Sequence, residues 1–350
     1  MPIFFQSNSP LDIRFIDQVK PQKFISYLSI LFQFDNPMKF HFYLPLLVLL
    51  LFSCKENEAP EDDSDRNSPF RTDYKLSDLK ISELFETSAE AKGEVGVKEG
   101  SGLAISRKNN GFVWTLQDKG NPNSIYLIDT NTGETVAEYK IKGAKNRDWE
   151  DIEISVGIDP EKSYLYIGDT GDNNLEYKDY TIYRIEEPVF EESHRSKSIE
   201  LDIPLDKILY EYPDKSRDVE ALLVDPITGD IFLVTKRDLF SLLFILPYPQ
   251  KTDKKNTAIL SGTFPFRIAT AGTVSEDGGE VLIKTYDRIF FWKKTGDQSF
   301  IELLASVPSF APYQKEEQGE AICFDEKGGY FTLSEWSGSI IPDLNYYRRK

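Results

Sequence analysis

Residues 219–237 read "VEALLVDPITGDIFLVTKR", and the fold turns on how this stretch is read. Two short apolar runs, "VEALLV" and "IFLVT", are rich in residues that suit buried strands. Between them "DPITGD" supplies the Gly and Asp that a tight hairpin turn requires. Immediately upstream, "SRD" sets Arg217 and Asp218 ahead of Glu220. The same opening precedes an earlier strand as "NRDWEDIEIS" (146–155), with Arg147, Asp148 and Glu150 at the same spacing. A charged opening repeated before an apolar strand marks a structural unit used more than once.

Working outward, the pattern of strand, Gly- or Asp-bearing turn and second strand recurs in "GSGLAISRKNNGFVWTLQD", "WEDIEISVGIDPEKSYLYIGDT", "TAGTVSEDGGEVLIKTYD" and "GEAICFDEKGGYFTLSEW". Third strands follow as "NSIYLIDT", "YTIYRIEE", "LFSLLFILP" and "RIFFWKK". Fourth strands are read in "TVAEYKIKG", "KILYEYPD", "NTAILSG" and "IELLASVPS". A four-stranded antiparallel unit repeated about every 50 residues predicts an all-β fold, a β-propeller of five blades, or six if residues 70–98 and the insertion "EEPVFEESHRSKSIELDIPLDK" hide another. A β-sandwich is the competing architecture, and the register held over five copies argues against it. The last unit lacks a fourth strand, so an N-terminal strand within "YKLSDLKISELF" (74–85) is expected to close the ring and cover its free edges. The same stretch is the one helix candidate.

Aligned, the units place Ser101, Glu150, Glu220, Thr270 and Glu320 in one column, and Gln117, Asp169, Lys236, Tyr286 and Glu335 in a second. In a propeller both columns open on one rim of the central channel. The expected binding surface is therefore an acidic mouth of Asp148, Glu150, Asp218, Glu220, Lys236, Tyr286, Glu320 and Glu335, with Trp149 and Trp336 as stacking faces. Converging carboxylates repel and raise one another's pKa unless cations compensate. Arg147, Arg217 and Lys236 could do so as an ion-pair network. A bound Ca²⁺ is the other solution, since it gathers six to eight hard oxygen ligands. Glu150, Asp169, Asp172, Asn173, Glu220 and Glu335 are the candidate ligands. "GDTGDNN" (168–174) lacks the twelve-residue calcium-loop pattern, and an Asx-rich turn capping its own backbone is the simpler account of it. Glu220 and Glu320 are the candidate acid–base pair for a hydrolase. Of two histidines only His194 lies in the repeat region, so zinc and Ser-His-Asp chemistry lack their residues.

Composition bounds the partners. The chain has 350 residues with 41 Lys and Arg against 58 Asp and Glu, a net charge of -17 that disfavours nucleic acid. The N-terminus reads as an address. From Met38, "MKFHFYLPLLVLLLFSC" has a basic start, an apolar run too short to span ~30 Å of hydrocarbon comfortably, and Ser53 before Cys54. It resembles a bacterial lipoprotein signal peptide, which implies a lipid anchor at Cys54 and placement in the cell envelope, at the outer membrane of a Gram-negative bacterium. The expected organisation is an upstream extension (1–37), a signal peptide (38–53), a polar flexible tether (54–72) and one propeller domain (73–350), monomeric. Cys323 is then the one cysteine left in the folded part, expected as a buried strand residue. The basic C-terminal "YYRRK" is read as a solvated strand end.

The motifs "DWEDIEI", "LYIGDTGDN", "IYRIEEP", "RDVEALLVDPITGDIFLVTK" and "GEAICFDEKGGYFTLSE" resemble bacterial lipid-anchored propeller lipoproteins, distantly similar to TolB-like and esterase-like propellers. The resemblance covers about residues 99–336 and implies the fold more strongly than any activity. The calcium-dependent esterase-like members hold Ca²⁺ at the channel, which would match Glu150, Asp169, Glu220 and Glu335 by position. Thr270 and Lys236 depart from an all-acidic pattern. The reading that comes first is a lipid-anchored binding or scaffold module with an envelope protein or glycan partner. The alternative is a calcium-dependent hydrolase acting on esters, lactones or phosphoesters.

Overall fold

A computed structural model describes residues 68–350, except 158 and 160. The signal peptide, Cys54 and the start of the tether lie outside the described residues. The first two strands, β1 (Phe70–Arg71) and β2 (Glu90–Glu94), precede the repeats. Blade I contains β3 (Gly100–Ile105), β4 (Phe112–Gln117), β5 (Ser124–Asp129) and β6 (Thr135–Ile141). Blade II contains β7 (Trp149–Val156), β8 (Ser163–Asp169) and β9 (Tyr180–Glu186); after β10 (Ser198–Leu201) comes its outer strand β11 (Leu205–Glu211). Blade III contains β12 (Val219–Val224), β13 (Ile231–Thr235) and β14 (Leu242–Leu246); after β15 (Asn256–Thr257) comes β16 (Ile259–Thr263). Blade IV contains β17 (Ala269–Val274), β18 (Glu280–Thr285), β19 (Ile289–Lys293), the helix α1 (Phe300–Ala305) and β20 (Ser309–Ala311). Blade V contains β21 (Gly319–Phe324), β22 (Tyr330–Ser334) and β23 (Asp343–Tyr347).

Each blade is an antiparallel meander ordered from an inner first strand outward, and the inner strands pack in the cyclic order β3, β7, β12, β17, β21 and back to β3. The chain is thus a five-bladed β-propeller, as the repeat predicts. Its fifth blade is completed from the N-terminal side by β2, antiparallel to β23, with Ala91 opposite Asn345. The closing strand therefore lies downstream of the 74–85 segment expected for it. That segment contains a short 3₁₀ turn at Leu76–Asp78, one parallel bridge from Ile81 to Phe310, and Phe85 buried between blades IV and V.

Three further segments add parallel outer strands: β10 beside β6, β15 beside β11, and β1 beside β16. The insertion before the outer strand of blade II therefore hides no sixth blade; it reaches back to cover the edge of blade I. Phe70 in β1 packs edge-on against Phe264, so the folded region begins inside the stretch read as tether. One fourth-strand assignment also fails. "IELLASVPS" begins as α1, because Ser299 and Glu302 form a reciprocal capping box and Phe300, Leu303 and Leu304 share a buried face. Only Ser309–Ala311 is left to pair with β19.

The core is divided into wedges between neighbouring blades. Trp114 and Trp149 fill the I/II wedge, Tyr180 and Tyr210 the II/III wedge, and Phe232 and Trp292 the III/IV wedge. Tyr330 and Phe85 fill IV/V, while Leu103 and Cys323 meet in V/I. Burying each such aromatic contributes roughly 1.5–3 kcal/mol, which makes these wedges the main attraction between blades. Because strand direction alternates, loops leading into first strands and out of second strands share one face. The first-to-second and third-to-fourth connections share the opposite face.

Candidate functional site

All five inner strands break register near their first turn of pairing, leaving Gly102, Glu150, Glu220, Thr270 and Glu320 unpaired with the second strand. A bulge of this kind bends the strand and re-aims the extra residue's side chain. The acidic column is therefore a column of bulges. Its blade I member is Gly102, one residue on from the expected Ser101, whose hydroxyl donates to the Glu150 carbonyl. A side chain at position 102 would collide with Asp151, where an added Cβ would lie 2.6 Å from Oδ1, and its φ of +68° also favours glycine.

Glu150, Asp218 and Glu220 each bring a carboxylate oxygen within 4.8 Å of the others, and all three side chains are buried. Asp148 extends the group: Lys119 Nζ lies 3.1 Å from its Oδ2, while its Oδ1 is buried without a hydrogen-bond partner. Gly171 lies against both Asp148 and Glu150, and a Cβ there would fall 2.1 Å from Glu150 Oε1. Asp218 Oδ1 accepts from the Asp172 amide at 2.7 Å. Arg237 Nε approaches Asp218 Oδ2 to 2.6 Å, but out of hydrogen-bonding alignment, so the contact is one of charge. Lys236 bridges Glu220 and Glu320, lying 3.2 Å from Glu320 Oε1, and the Tyr286 hydroxyl donates to that same oxygen.

The electrostatics follow from this crowding. Burial raises the Glu150 pKa, and Glu220 and Asp148 raise it further against the opposing pull of Lys236. Burial likewise raises Glu220, with Lys236 opposing and Glu320 reinforcing. Burial works against the charge of Lys236, yet Glu220 and Glu320 hold its pKa above the ordinary value. On the adjoining rim, burial and the neighbouring Glu99 and Glu320 push Asp118 up to about 7. Burial, Glu320 and Asp118 push Glu335 up to about 8. The rim thus sets seven carboxyl groups, Asp118, Asp148, Glu150, Asp218, Glu220, Glu320 and Glu335, against Lys119, Lys236 and Arg237.

Several expected roles are not the observed ones. Arg147 and Arg217 do not neutralise the Glu column: the Arg147 guanidinium lies 3.9 Å from the Tyr177 ring centre, and Arg217 pairs with Asp214 and Asp238. Lys119 and Arg237 supply charge in their place. Asp169 accepts from the Arg147 and Asp148 amides at 3.1 and 2.8 Å. Asp172 accepts from the Glu176 and Tyr177 amides, both at 2.8 Å, and from the Tyr180 hydroxyl. "GDTGDNN" is therefore an Asx-rich capping loop, and the Asn173 side-chain Oδ1 accepts from Arg237. Asp169, Asp172 and Asn173 consequently drop out as first choices for metal ligation, and Glu335 faces Glu320 and Asp118 instead of the triad. Trp149 is wholly buried, its indole N–H donating to the Lys145 carbonyl, and so offers no stacking face. Trp336 is half-buried and donates to the Val95 carbonyl, with Lys98 over its ring.

Three residues escaped the sequence reading. Asp151 and Glu153 stand where sibling inner strands carry Leu103 and Ile105, or Ala221 and Leu223, so comparing the blades would have flagged them. Asp151 Oδ2 accepts from the Leu222 and Gly272 amides at 2.9 and 3.1 Å, and Glu153 Oε2 from the Val274 amide at 3.0 Å. They fill the channel beneath the mouth and tie blade II to blades III and IV. Lys284 is buried on β18, donating to the Tyr313 hydroxyl and the Gly319 carbonyl; burial lowers its pKa to about 8 against the pull of Glu316. Beside Tyr286 lies a cavity of about 440 Å³, lined in part by Leu239, Phe240, Phe266 and Ile268.

No protein-family model matches the chain, and no curated protein matches it. Among solved structures, a glucose dehydrogenase is 9% identical with a TM-score of 0.42, over 75% of this chain and 100% of that one. A gluconolactonase from Xanthomonas campestris is 10% identical with a TM-score of 0.41, over 81% and 95%. An auxiliary nutrient binding protein from Bacteroides thetaiotaomicron is 10% identical with a TM-score of 0.40, over 81% and 75%. Likenesses this distant say nothing about activity, and the propeller assignment stands on the strand order and register described above.

Proposed function

We propose that this protein is a binding propeller of the cell envelope whose acidic mouth takes one divalent cation of the hard, oxygen-seeking class, Ca²⁺ first. The observation that carries this reading is the buried triad of Glu150, Asp218 and Glu220 beside the unpartnered Asp148 Oδ1. Lys119, Lys236 and Arg237 answer Asp148, Glu220 and Asp218, but Glu150 has no cation paired with it among the described residues, and a bound cation would offset the remaining cost of burying its charge. An all-carboxylate set of hard oxygen donors suits Ca²⁺ better than zinc, which prefers nitrogen and sulfur in closed tetrahedra. A bound ion would in turn present its remaining coordination positions to an oxygen-rich partner, a glycan or an acidic face of an envelope protein.

Binding is placed ahead of hydrolysis because Glu220 and Glu320, the acid–base pair expected from sequence, are both engaged by Lys236. The hydrolase alternative draws its support from Asp118 and Glu335, whose pKa values of about 7 and 8 suit proton transfer on the same rim. Anchoring through a lipid on Cys54 rests on the signal-like segment alone. Metabolic labelling with a palmitate analogue, lost in Cys54→Ala, tests it.

The deciding experiment is calorimetric titration of chelated protein with Ca²⁺, in parallel with the Glu150→Gln/Asp218→Asn variant. Saturation near one equivalent that disappears in the variant supports the cation site, and a calcium-dependent turnover of esters, lactones or phosphoesters by the loaded protein would move the hydrolase ahead. Wild-type protein that stays folded and binds no Ca²⁺ sinks both.

A further inference from the structure

On the face opposite the mouth, a chain of net charge -17 gathers several cations at one place. There a cavity of about 490 Å³ is lined by Lys92, Lys327, Arg348, Arg349 and Lys350, with Asp325 as its one acidic residue. The Asp325 carboxylate is already committed: it accepts from the Lys327 and Gly329 amides at 2.9 and 2.6 Å and from the Tyr346 hydroxyl at 2.7 Å. It therefore holds the turn between β21 and β22 in shape and has little capacity left to neutralise the cations.

The basic segment is fixed by its backbone. The Arg348 carbonyl accepts from the Glu86 amide, and the Lys350 amide donates to the Leu84 carbonyl, both at 2.9 Å. Between them Arg349 bridges to the buried Phe85, so "YYRRK" is held in place as one edge of the cavity. Arg349 spends its charge on Glu280, with contacts of 2.9 and 2.7 Å, and Lys92 lies 2.8 Å from Glu90. Arg348 is 67% exposed with a single 3.4 Å contact to Glu90. Lys327 and Lys350 have no ion pair among the described residues. Three cations on a rigid frame are thus left without full compensation.

The geometry points to an anion site for a phosphate group, free or carried on a lipid, bound by Lys327, Arg348 and Lys350. A phosphate monoester or pyrophosphate carries two or more charges and enough acceptor oxygens for all three donors, which a lone carboxylate does not. The cavity volume falls in the range of small-ligand sites. The neighbouring cavity of about 660 Å³ shares Asp325, Lys327 and Arg349 but adds the acids Glu276, Asp277, Glu280 and Glu326 against Lys293 and Lys294, an excess of negative charge that favours an anion on the Lys350 side. The strand order places this site away from the mouth, so phosphate binding does not require the cation.

The test uses the full chain in calcium-free, low-salt buffer, titrated with inorganic pyrophosphate, and then co-sedimented with phosphatidylcholine vesicles with and without phosphatidic acid, whose headgroup is a phosphate monoester. The proposal expects saturable pyrophosphate binding that weakens at least about tenfold in Lys327→Gln/Lys350→Gln, with the melting temperature unchanged. Vesicle association that rises with phosphatidic acid and falls in the variant identifies a lipid headgroup as the source. Pyrophosphate binding without that lipid dependence identifies a soluble phosphate compound. The proposal is overturned if the wild type fails to bind either probe, or if the variant binds as tightly as the wild type.

Discussion

A Cβ built on Gly171 would lie 2.1 Å from Glu150 Oε1 and 2.7 Å from Asp148 Cγ, so this position tests the cation reading without touching a carboxylate. Gly171→Ala is expected to push both carboxylates out of place and to weaken Ca²⁺ binding by about ten- to a hundredfold, as disturbed support of metal ligands commonly does. Titration of a variant that retains its circular dichroism checks it; unchanged affinity would remove Asp148 and Glu150 from the ligand set. A second prediction concerns protons. Asp118 and Glu335 have folded-state pKa values raised to about 7 and 8, above their ordinary values, so the folded protein holds these protons more tightly than the unfolded chain. Their contribution to stability is complete below about pH 4 and is lost as the pH rises through 7 and 8. Metal-free protein should therefore show a melting temperature that falls between pH 5 and pH 8, with a shallower fall in Asp118→Asn/Glu335→Gln. A profile that rises over that window contradicts the assignment. The acidic residue types on the rim were legible from the repeated opening "RDxE", but the cations that answer them were not. Arg147 and Arg217 are adjacent in sequence to the acids yet turn to Tyr177 and Asp238, while Lys119 arrives from the loop after β4 in the preceding blade.

Strands and helices show where periodicity suffices and where it does not. Inner and second strands were readable throughout because both faces are buried and their turns carry Gly or Asp. Outer strands are half-exposed and short, so their apolar content is diluted, and two were misassigned for that reason. In blade IV the decisive signal was local: Ser299 and Glu302 cap α1, and an S-x-x-E sequence before an apolar run is a helix start. Ser299→Ala should cost about 1 kcal/mol in chemical denaturation, the usual worth of an N-cap. A larger effect belongs to β7. Replacing Asp151 by Ala strands the Ile152, Leu222 and Gly272 amides inside the channel, at about 1–3 kcal/mol for each buried orphan. A loss of about 3 kcal/mol or more in urea unfolding is expected, and a loss below 1 kcal/mol would mean that the channel admits water to those amides.

At the scale of the whole molecule, stability depends on how the ring is latched. Five blades meet through apolar wedges, and the V/I wedge is joined by a strand from the far end of the folded region, where β2 pairs with β23 and Val95 and Val97 enter the core. The IV/V wedge is filled from the same N-terminal segment, by Phe85, which meets Phe291 and Tyr330 edge-on at ring separations of 5.1 and 5.0 Å. Phe85 lies in the stretch where sequence placed the closing strand, so the region was identified but its role was not: one aromatic plug there, and the strand itself farther along. Phe85→Ala should remove about 3–5 kcal/mol while leaving β2 paired, because the cavity opens inside a wedge and leaves the latch intact. Deleting residues 68–94 should do more, stripping β1 from β16 and exposing the outer edge of β23 as well as the wedge, and free strand edges invite pairing between copies. Comparing the two by denaturation and by sedimentation separates packing from latching. The plug variant is expected to stay monodisperse with a single unfolding transition, and the deletion to lose blade V first or to self-associate. If the deletion unfolds in one transition at the same denaturant concentration as the plug variant, β2 contributes no closure and the wedges alone hold the ring.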